Sequence, residues 1–159
     1  LQGKSMPNRL TLLAEWVKEG GALIMAGGYL SFQGFEAKAR FAGTAVEAVL
    51  PVTCLTHDDR AETPEGSVPQ VHAATHPVLA GVPAEMPALL GYNRVTLKPG
   101  ATLVASVNGD PLIAAAEAGK GRALVWTSDI GPHWCPETFV KWEGFAPLMA
   151  NMIAWVAGK

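Results

Sequence analysis

Charge is scarce in this chain: only 16% of residues are Asp, Glu, Lys or Arg, and no stretch gathers the 12 basic ones. With 14 acidic residues the formal net charge is −2, which argues against a nucleic-acid surface or an anionic-membrane surface. No apolar run approaches the roughly 20 residues that a membrane-spanning helix needs. Cysteine is nearly absent as well. Cys54 and Cys135 lie far apart and read as free thiols of a cytoplasmic protein, not as a disulfide framework. Internal repeats, linkers and low-complexity tracts are missing, which leaves a single domain over residues 1–159. The opening Leu1-Gln2-Gly3-Lys4-Ser5 has no signal-peptide organisation. Nor does it carry an initiator Met, so the chain is expected to be part of something longer. What is plentiful is apolar residue, 49% of 159, enough for one sizeable core.

The core organises around residues 21–34. Ala22–Ala26 is an apolar run bounded by glycine pairs, the mark of a strand covered on both faces, and is expected as a central parallel strand. Gly27-Gly28-Tyr29-Leu30-Ser31 follows as a sharp turn. In open α/β sheets ligands sit beyond the carboxyl ends of the strands, so this turn is a candidate binding site. Equally, the two glycines can serve only to turn the chain.

Upstream, Leu10, Leu13, Ala14 and Val17 recur at helical spacing, predicting a helix over Pro7–Glu19, capped by Ser5 or Asn8 and ended by Gly20-Gly21. Downstream, Ser31–Phe41 reads as a loop with one helical turn, Thr44–Leu50 as a short helix and Val52–Leu55 as a strand. His57 to Pro69 is polar and reads as a surface loop. Gly91–Leu97 is a strand by the same criteria. Thr102–Val107, Leu112–Glu117 and Ala123–Thr127 follow, joined by Asn108-Gly109-Asp110 and Gly119-Lys120-Gly121, which is hairpin turn chemistry. Glu137–Val156 closes the chain as helix, with Pro147 breaking it and starting the final one. Early helix–strand alternation and late hairpins together give an α/β fold.

Several of these segments, in order, resemble one family: Gly20–Gly34, Leu50-Pro51-Val52-Thr53, His76-Pro77-Val78-Leu79, Leu90-Gly91-Tyr92-Asn93, Gly119–Arg122 and Thr127-Ser128-Asp129 with Pro132-His133-Trp134. Together they are similar to the putative glutamine amidotransferase family of class I amidotransferase-like domains. The resemblance spans essentially the whole chain. It implies a flavodoxin-like three-layer α/β/α sandwich with late antiparallel hairpin strands, and βα units upstream of the first helix. On that ground an open sheet edge is expected here, met by a companion chain carrying those units or by a homo-oligomer.

Class I amidotransferases hydrolyse glutamine with a Cys on a strained strand-to-helix turn, where backbone N–H groups hold the oxyanion. Here the matching turn is Ala26-Gly27-Gly28-Tyr29-Leu30, with no Cys. Ser31 lies two residues past Tyr29 and has no base beside it in sequence. Cys54 follows Pro51-Val52-Thr53 and reads as core. Cys135 sits beside His133 in the loop after Ala123–Thr127, where the family's His belongs and not its Cys. Standard Cys-dependent glutaminase activity is therefore not expected.

The richest stretch is Thr127–Glu137. Asp129 and His133 put a carboxylate and an imidazole at the sheet's carboxyl edge, candidates for acid–base work near neutral pH. In the plainer reading, Asp129 caps the turn while His133 and Trp134 pack on it. Gly27, Gly28, Tyr29, Ser31, Gln33 and Trp134 are the candidate ligand-binding set, suited to a small polar molecule or a partner protein. The alternative is a hydrolase or transferase using His133 with Asp129 or Glu137, and Cys135 beside them. No metal site and no cofactor are expected. His76 precedes Pro77, so His72 and His76 do not share a helix face. His57-Asp58-Asp59 reads as a solvated loop, and His133-x-Cys135 lacks further ligands. Neither glycine pair makes a dinucleotide or P-loop fingerprint.

Overall fold

A computed structural model describes residues 8–158. Helix α1 (Arg9–Lys18) begins at Asn8, whose Oδ1 accepts the Leu10 N–H at 3.0 Å. The alternative cap, Ser5, and the predicted first helical residue, Pro7, lie outside the described residues. Ala14 and Val17 are the buried positions of α1 and face the sheet. Strand β1 (Ala22–Ala26) follows at once.

β1 pairs in parallel with β9 (Gly121–Trp126), Ala22 opposite Arg122 and Ala26 opposite Trp126. β8 (Asp110–Ala118) and β7 (Thr102–Val107) continue antiparallel, and β4 (Gln70–Val71) ends the sheet, giving the order β1-β9-β8-β7-β4. The chain is thus mixed α/β with both parallel and antiparallel pairing. The expectation of a central β1 is corrected here: among the described residues β1 is an edge strand. Its apolar run reflects the covering of its two faces, and burial of faces says nothing about the pairing of edges. Ala22, Ile24 and Ala26 meet one core cluster with Leu124, Trp126, Leu148 and Met152. Leu23 and Met25 meet the other, with Val125, Phe32, Val46 and Leu50. Alternate residues of one strand therefore enter two separate core clusters, the period of two that a pleated strand imposes.

Helix α2 (Ala45–Val49) is capped by Thr44, whose Oγ1 accepts the Glu47 N–H at 3.3 Å. The expected helix at Glu137–Val156 is interrupted between α3 (Glu137–Val140) and α4 (Phe145–Val156). The break falls before Pro147, which sits in the first turn of α4, where its missing N–H costs no intrahelical bond.

Two small antiparallel pairs lie outside the main sheet: β2 (Val52–Cys54) with β6 (Val95–Leu97), and β3 (Arg60–Ser67) with β5 (Leu89–Asn93). The single strand expected at Gly91–Leu97 is split at Arg94, because its two halves serve different partners. The loop expected over His57–Pro69 contains β3. Its pairing holds at Arg60–Glu62 and again at Ser67, with an irregular register between, where Pro64 and Gly66 fall.

Leu148 is fully buried and joins α4 to β9. Leu148→Ala is expected to destabilise the fold by about 2–5 kcal/mol, the range for emptying a packed leucine site. Urea denaturation reads this directly, and a loss below about 1 kcal/mol would contradict the packing described.

Candidate functional site

The carboxyl ends of β1 and β9 are stitched together at Gly27. Its N–H lies 2.7 Å from the Trp126 carbonyl and 3.0 Å from that of Ser128. A Cβ at Gly27 would collide with the Thr127 carbonyl, so only glycine allows the strands to approach this closely. The Gly28 N–H donates to Asn93 Oδ1 at 2.8 Å. Tyr29 then projects from the turn. Ser31 folds back, its hydroxyl donating to the Ala26 carbonyl.

From β9, Asp129 organises the second loop. Its Oδ2 accepts from the Trp134 N–H at 3.0 Å and lies 3.1 Å from His133 Nδ1. That leaves Nε2 of His133 turned away from the carboxylate, on a side chain 53% exposed. Both loops leave the same sheet edge, and their rings meet. Tyr29 lies 5.2 Å from His133 and 5.5 Å from Trp134, centroid to centroid, with His133 and Trp134 5.8 Å apart.

Glu62 of β3 closes the cluster. Its Oε1 accepts from the Tyr29 hydroxyl at 2.8 Å and its Oε2 from Trp134 Nε1 at 2.9 Å. The hydrogen bond to Glu62 raises the Tyr29 phenol above its ordinary value, keeping it protonated. Trp134 is 1% exposed and lies over Gly91, where a Cβ would strike its indole. Arg60 stands 4.6 Å from the Tyr29 ring and 4.4 Å from the Phe35 ring, with Nε and Nη2 bound to Asp58 at 3.0 and 2.9 Å. The Arg60 guanidinium in turn holds the Asp58 carboxyl well below the usual carboxylate range.

Beneath this surface lies Asp59, with no solvent exposure. Its carboxylate accepts from the Gln33 N–H at 2.7 Å, the Gly34 N–H at 2.9 Å and Asn93 Nδ2 at 2.7 Å. Burial pushes its pKa up, and these three donors pull it back. The loop they pin is strained: Phe32, Glu36, Ala37 and Arg40 all have φ between 49° and 60°.

Of the residues singled out from sequence, Gly27, Gly28, Tyr29, Asp129, His133 and Trp134 come together. Gln33 and Ser31 do not offer themselves to a ligand. Gln33 is buried, its Oε1 accepting from the Ala42 N–H at 3.3 Å, and the Ser31 hydroxyl is spent on the backbone. Glu137 pairs with Lys141 at 3.1 Å, a partner on its own helix, and does not orient His133. Cys54 and Cys135 are buried, and burial pushes both thiols up to about 12. His72 Nε2 lies 2.7 Å from Ser106 Oγ, whereas His76 lies tilted against Trp155, 5.3 Å between centroids. Among the described residues no three His, Cys, Asp or Glu side chains are grouped to hold a metal ion.

Sequence reasoning missed Glu62, Arg60, Asp59 and Asn93. The signal lies in the charged run Asp58-Asp59-Arg60-Ala61-Glu62, whose composition is that of a solvated loop. A cavity of about 720 Å³, lined by Lys18, Lys98, Glu117 and Trp155, opens at the opposite end of the sheet and shares no residue with this cluster.

The family model for putative glutamine amidotransferases matches residues 1–158. The chain belongs to that family. It is 40% identical to a cytoplasmic protein from Salmonella typhimurium, with a TM-score of 0.92 over 98% of this chain and 63% of the other. A second cytoplasmic protein, from Salmonella typhimurium LT2, is 41% identical, with a TM-score of 0.91 over 94% of this chain and 61% of the other. This chain thus spans less than two thirds of the length of either. A putative thua-like protein from Parabacteroides merdae, 15% identical, shares the fold with a TM-score of 0.66, over 100% of this chain and 69% of its own. No curated protein matches the chain. No helix among the described residues is long and apolar enough to cross a membrane.

Removing the Asp59 carboxylate strands three buried donors, so Asp59→Ala is expected to cost about 3 kcal/mol or more in chemical denaturation. Asp59→Asn should not restore it, since its amide nitrogen would face donors. Asp58 works at the surface with a definite pH sign. Its depressed pKa contributes stability that is present above the ordinary Asp value of about 3.9 and lost as pH falls below it. The stability gap between the wild-type chain and Asp58→Asn, followed by denaturation across pH, should therefore close in acid. A gap that widened there would reverse the assignment.

Proposed function

We propose that this chain is an amidotransferase-like module that binds a small polar molecule at the Tyr29–His133–Trp134 edge and does not carry out Cys-dependent glutaminase chemistry. The observation that carries the reading is the Gly27–Gly28 turn. It lacks a thiol, and the two cysteines of the chain are buried with thiols near 12. Gly27, Gly28 and Tyr29 line the ligand side from β1, and Asp129, His133 and Trp134 line it from β9. Asp129 holds the second loop in shape, while His133 presents its free nitrogen. The fold is read as a flavodoxin-like three-layer sandwich, and the location as cytoplasmic, in line with the two Salmonella relatives.

The second reading, a hydrolase or transferase, is favoured by one contact, the 3.1 Å approach of Asp129 to His133 Nδ1. Such a contact leaves Nε2 available as a base. Among the described residues no free nucleophile accompanies it, since Ser31 is bound to Ala26 and Cys135 is enclosed. We also propose that the edge of β1, unpaired among the described residues, is met by βα units on a companion chain or by a second copy. Ile130 and Ile153, both exposed, line an apolar groove of about 400 Å³ with Ile24 and Ala26 beside that edge. Light scattering of the purified chain tests this, and a stable monomer at high concentration would count against it.

For the main reading, ammonia release from glutamine should stay at background, and iodoacetamide should label both thiols slowly at pH 7 and quickly in urea. Glutamine hydrolysis abolished by Cys54→Ala or Cys135→Ala would overturn it. His133→Ala is expected to leave the denaturation midpoint unchanged and weaken ligand binding.

A further inference from the structure

The groups left unspent around Tyr29 define what the site can take. Nη1 of Arg60 is 3.8 Å from Glu62 Oε1, beyond hydrogen-bond reach, on a side chain only 18% exposed. It is thus not hydrogen-bonded to Glu62, while Nε and Nη2 are both held by Asp58. Each oxygen of Glu62 accepts one hydrogen bond and keeps a further lone pair, on a side chain 47% exposed. With Nδ1 of His133 engaged at Asp129, its Nε2 is left for a ligand hydroxyl. Amid these lies the Tyr29 ring, 41% exposed although Arg60 stands 4.6 Å from its centroid and Trp134, His133 and Phe35 lie around it.

Charge narrows the class. Asp58, Glu62 and Asp129 set three carboxylates against the single guanidinium of Arg60. An anionic ligand, whether phosphate or carboxylate, meets net repulsion here. A lipid or other wholly apolar ligand would leave these groups desolvated without partners. The remaining demand is for hydroxyl donors toward Glu62 and His133, an oxygen acceptor for Arg60, and a C–H face to lie on Tyr29.

We infer that the site takes a neutral sugar, stacked on Tyr29 and hydrogen-bonded through its hydroxyls to Glu62, His133 and Arg60. This rests on the ligand-binding reading above and adds the class of ligand. Vicinal hydroxyls act as donor and acceptor at once, which suits a rim that mixes two acceptors with one donor.

The test is a titration of the purified chain with D-glucose, D-galactose, D-mannose and maltose, read by saturation-transfer NMR and tryptophan fluorescence. Choline, putrescine, glucose 6-phosphate and glutamine serve as opposing probes. At least one neutral sugar is expected to bind, with affinity falling about tenfold in Tyr29→Leu and Glu62→Gln and changing little in Lys141→Ala. Tyr29→Phe keeps the ring and should retain most of the binding, which separates loss of stacking from loss of fold. Binding of choline or putrescine alone would overturn the sugar class and leave the ligand site standing. Sugar binding indifferent to Tyr29→Leu would also overturn it. Silence from every probe would remove both readings.

Discussion

Everything at this sheet edge hangs on one buried carboxylate. Asp59 is inaccessible to water, and the three hydrogen bonds it accepts come from segments distant in sequence: Gln33 and Gly34 in the loop after β1, and Asn93 at the end of β5. Asn93 passes the constraint on, since its Oδ1 accepts from Gly28 while its N–H donates to the Thr127 carbonyl at 2.8 Å. One acidic side chain thereby fixes β3, β5, the glycine turn and the end of β9 relative to one another. A buried carboxylate is tolerable only when its lone pairs are met, and here the donors are largely backbone. The positive φ angles of residues 32–40 are the geometric cost of delivering those donors. The tertiary bonds hold residues there that would not adopt such angles in an isolated loop.

The rigid network and the exposed groups have separate roles. Asp59, Asn93, Gln33 and the backbone of Gly27 face inward and are satisfied. Tyr29, Glu62, His133 and Arg60 stand one layer out, each oriented by a partner while keeping part of its bonding capacity. Glu62 orients both Tyr29 and Trp134, Asp129 orients His133, and Asp58 orients Arg60. Such an arrangement presents fixed side chains without a deep cavity, and it suits recognition of a small rigid ligand more than enclosure of a reaction.

How much of this was legible depended on where each signal lived. β1, β7, β8 and β9 announce themselves by apolar runs and turn residues, because most of their side chains pack into the core. The Tyr29–His133 encounter follows from a topological rule: loops trailing two parallel neighbours leave by the same edge. β3 was invisible for a physical reason. Arg60-Ala61-Glu62-Thr63-Pro64 carries charge, and a proline, and it pairs with β5 on one side only, so neither periodicity nor propensity marks it. Glu62 and Asp59 go unmarked with it, since their importance comes from partners 25 to 72 residues away along the chain. The edge position of β1 is not legible in its sequence, because apolar runs report covered faces, not paired edges.

The absence of a nucleophile at the turn is itself dictated by this geometry. A side chain at residue 27 would collide with the Thr127 carbonyl, which approaches because Gly27 bonds to the carbonyls on either side of it. At residue 28 a Cβ would point at Asp129 Oδ1, 3.0 Å away. A thiol placed there would face a carboxylate, which disfavours the thiolate that glutamine hydrolysis needs. The Gly28 N–H, which an oxyanion would require, already donates to Asn93. Restoring a cysteine to this turn would therefore meet steric exclusion at one position and electrostatic opposition at the next. The turn is built around contacts between its own loops, and those same contacts hold Tyr29 and His133 at the separation a ligand would meet.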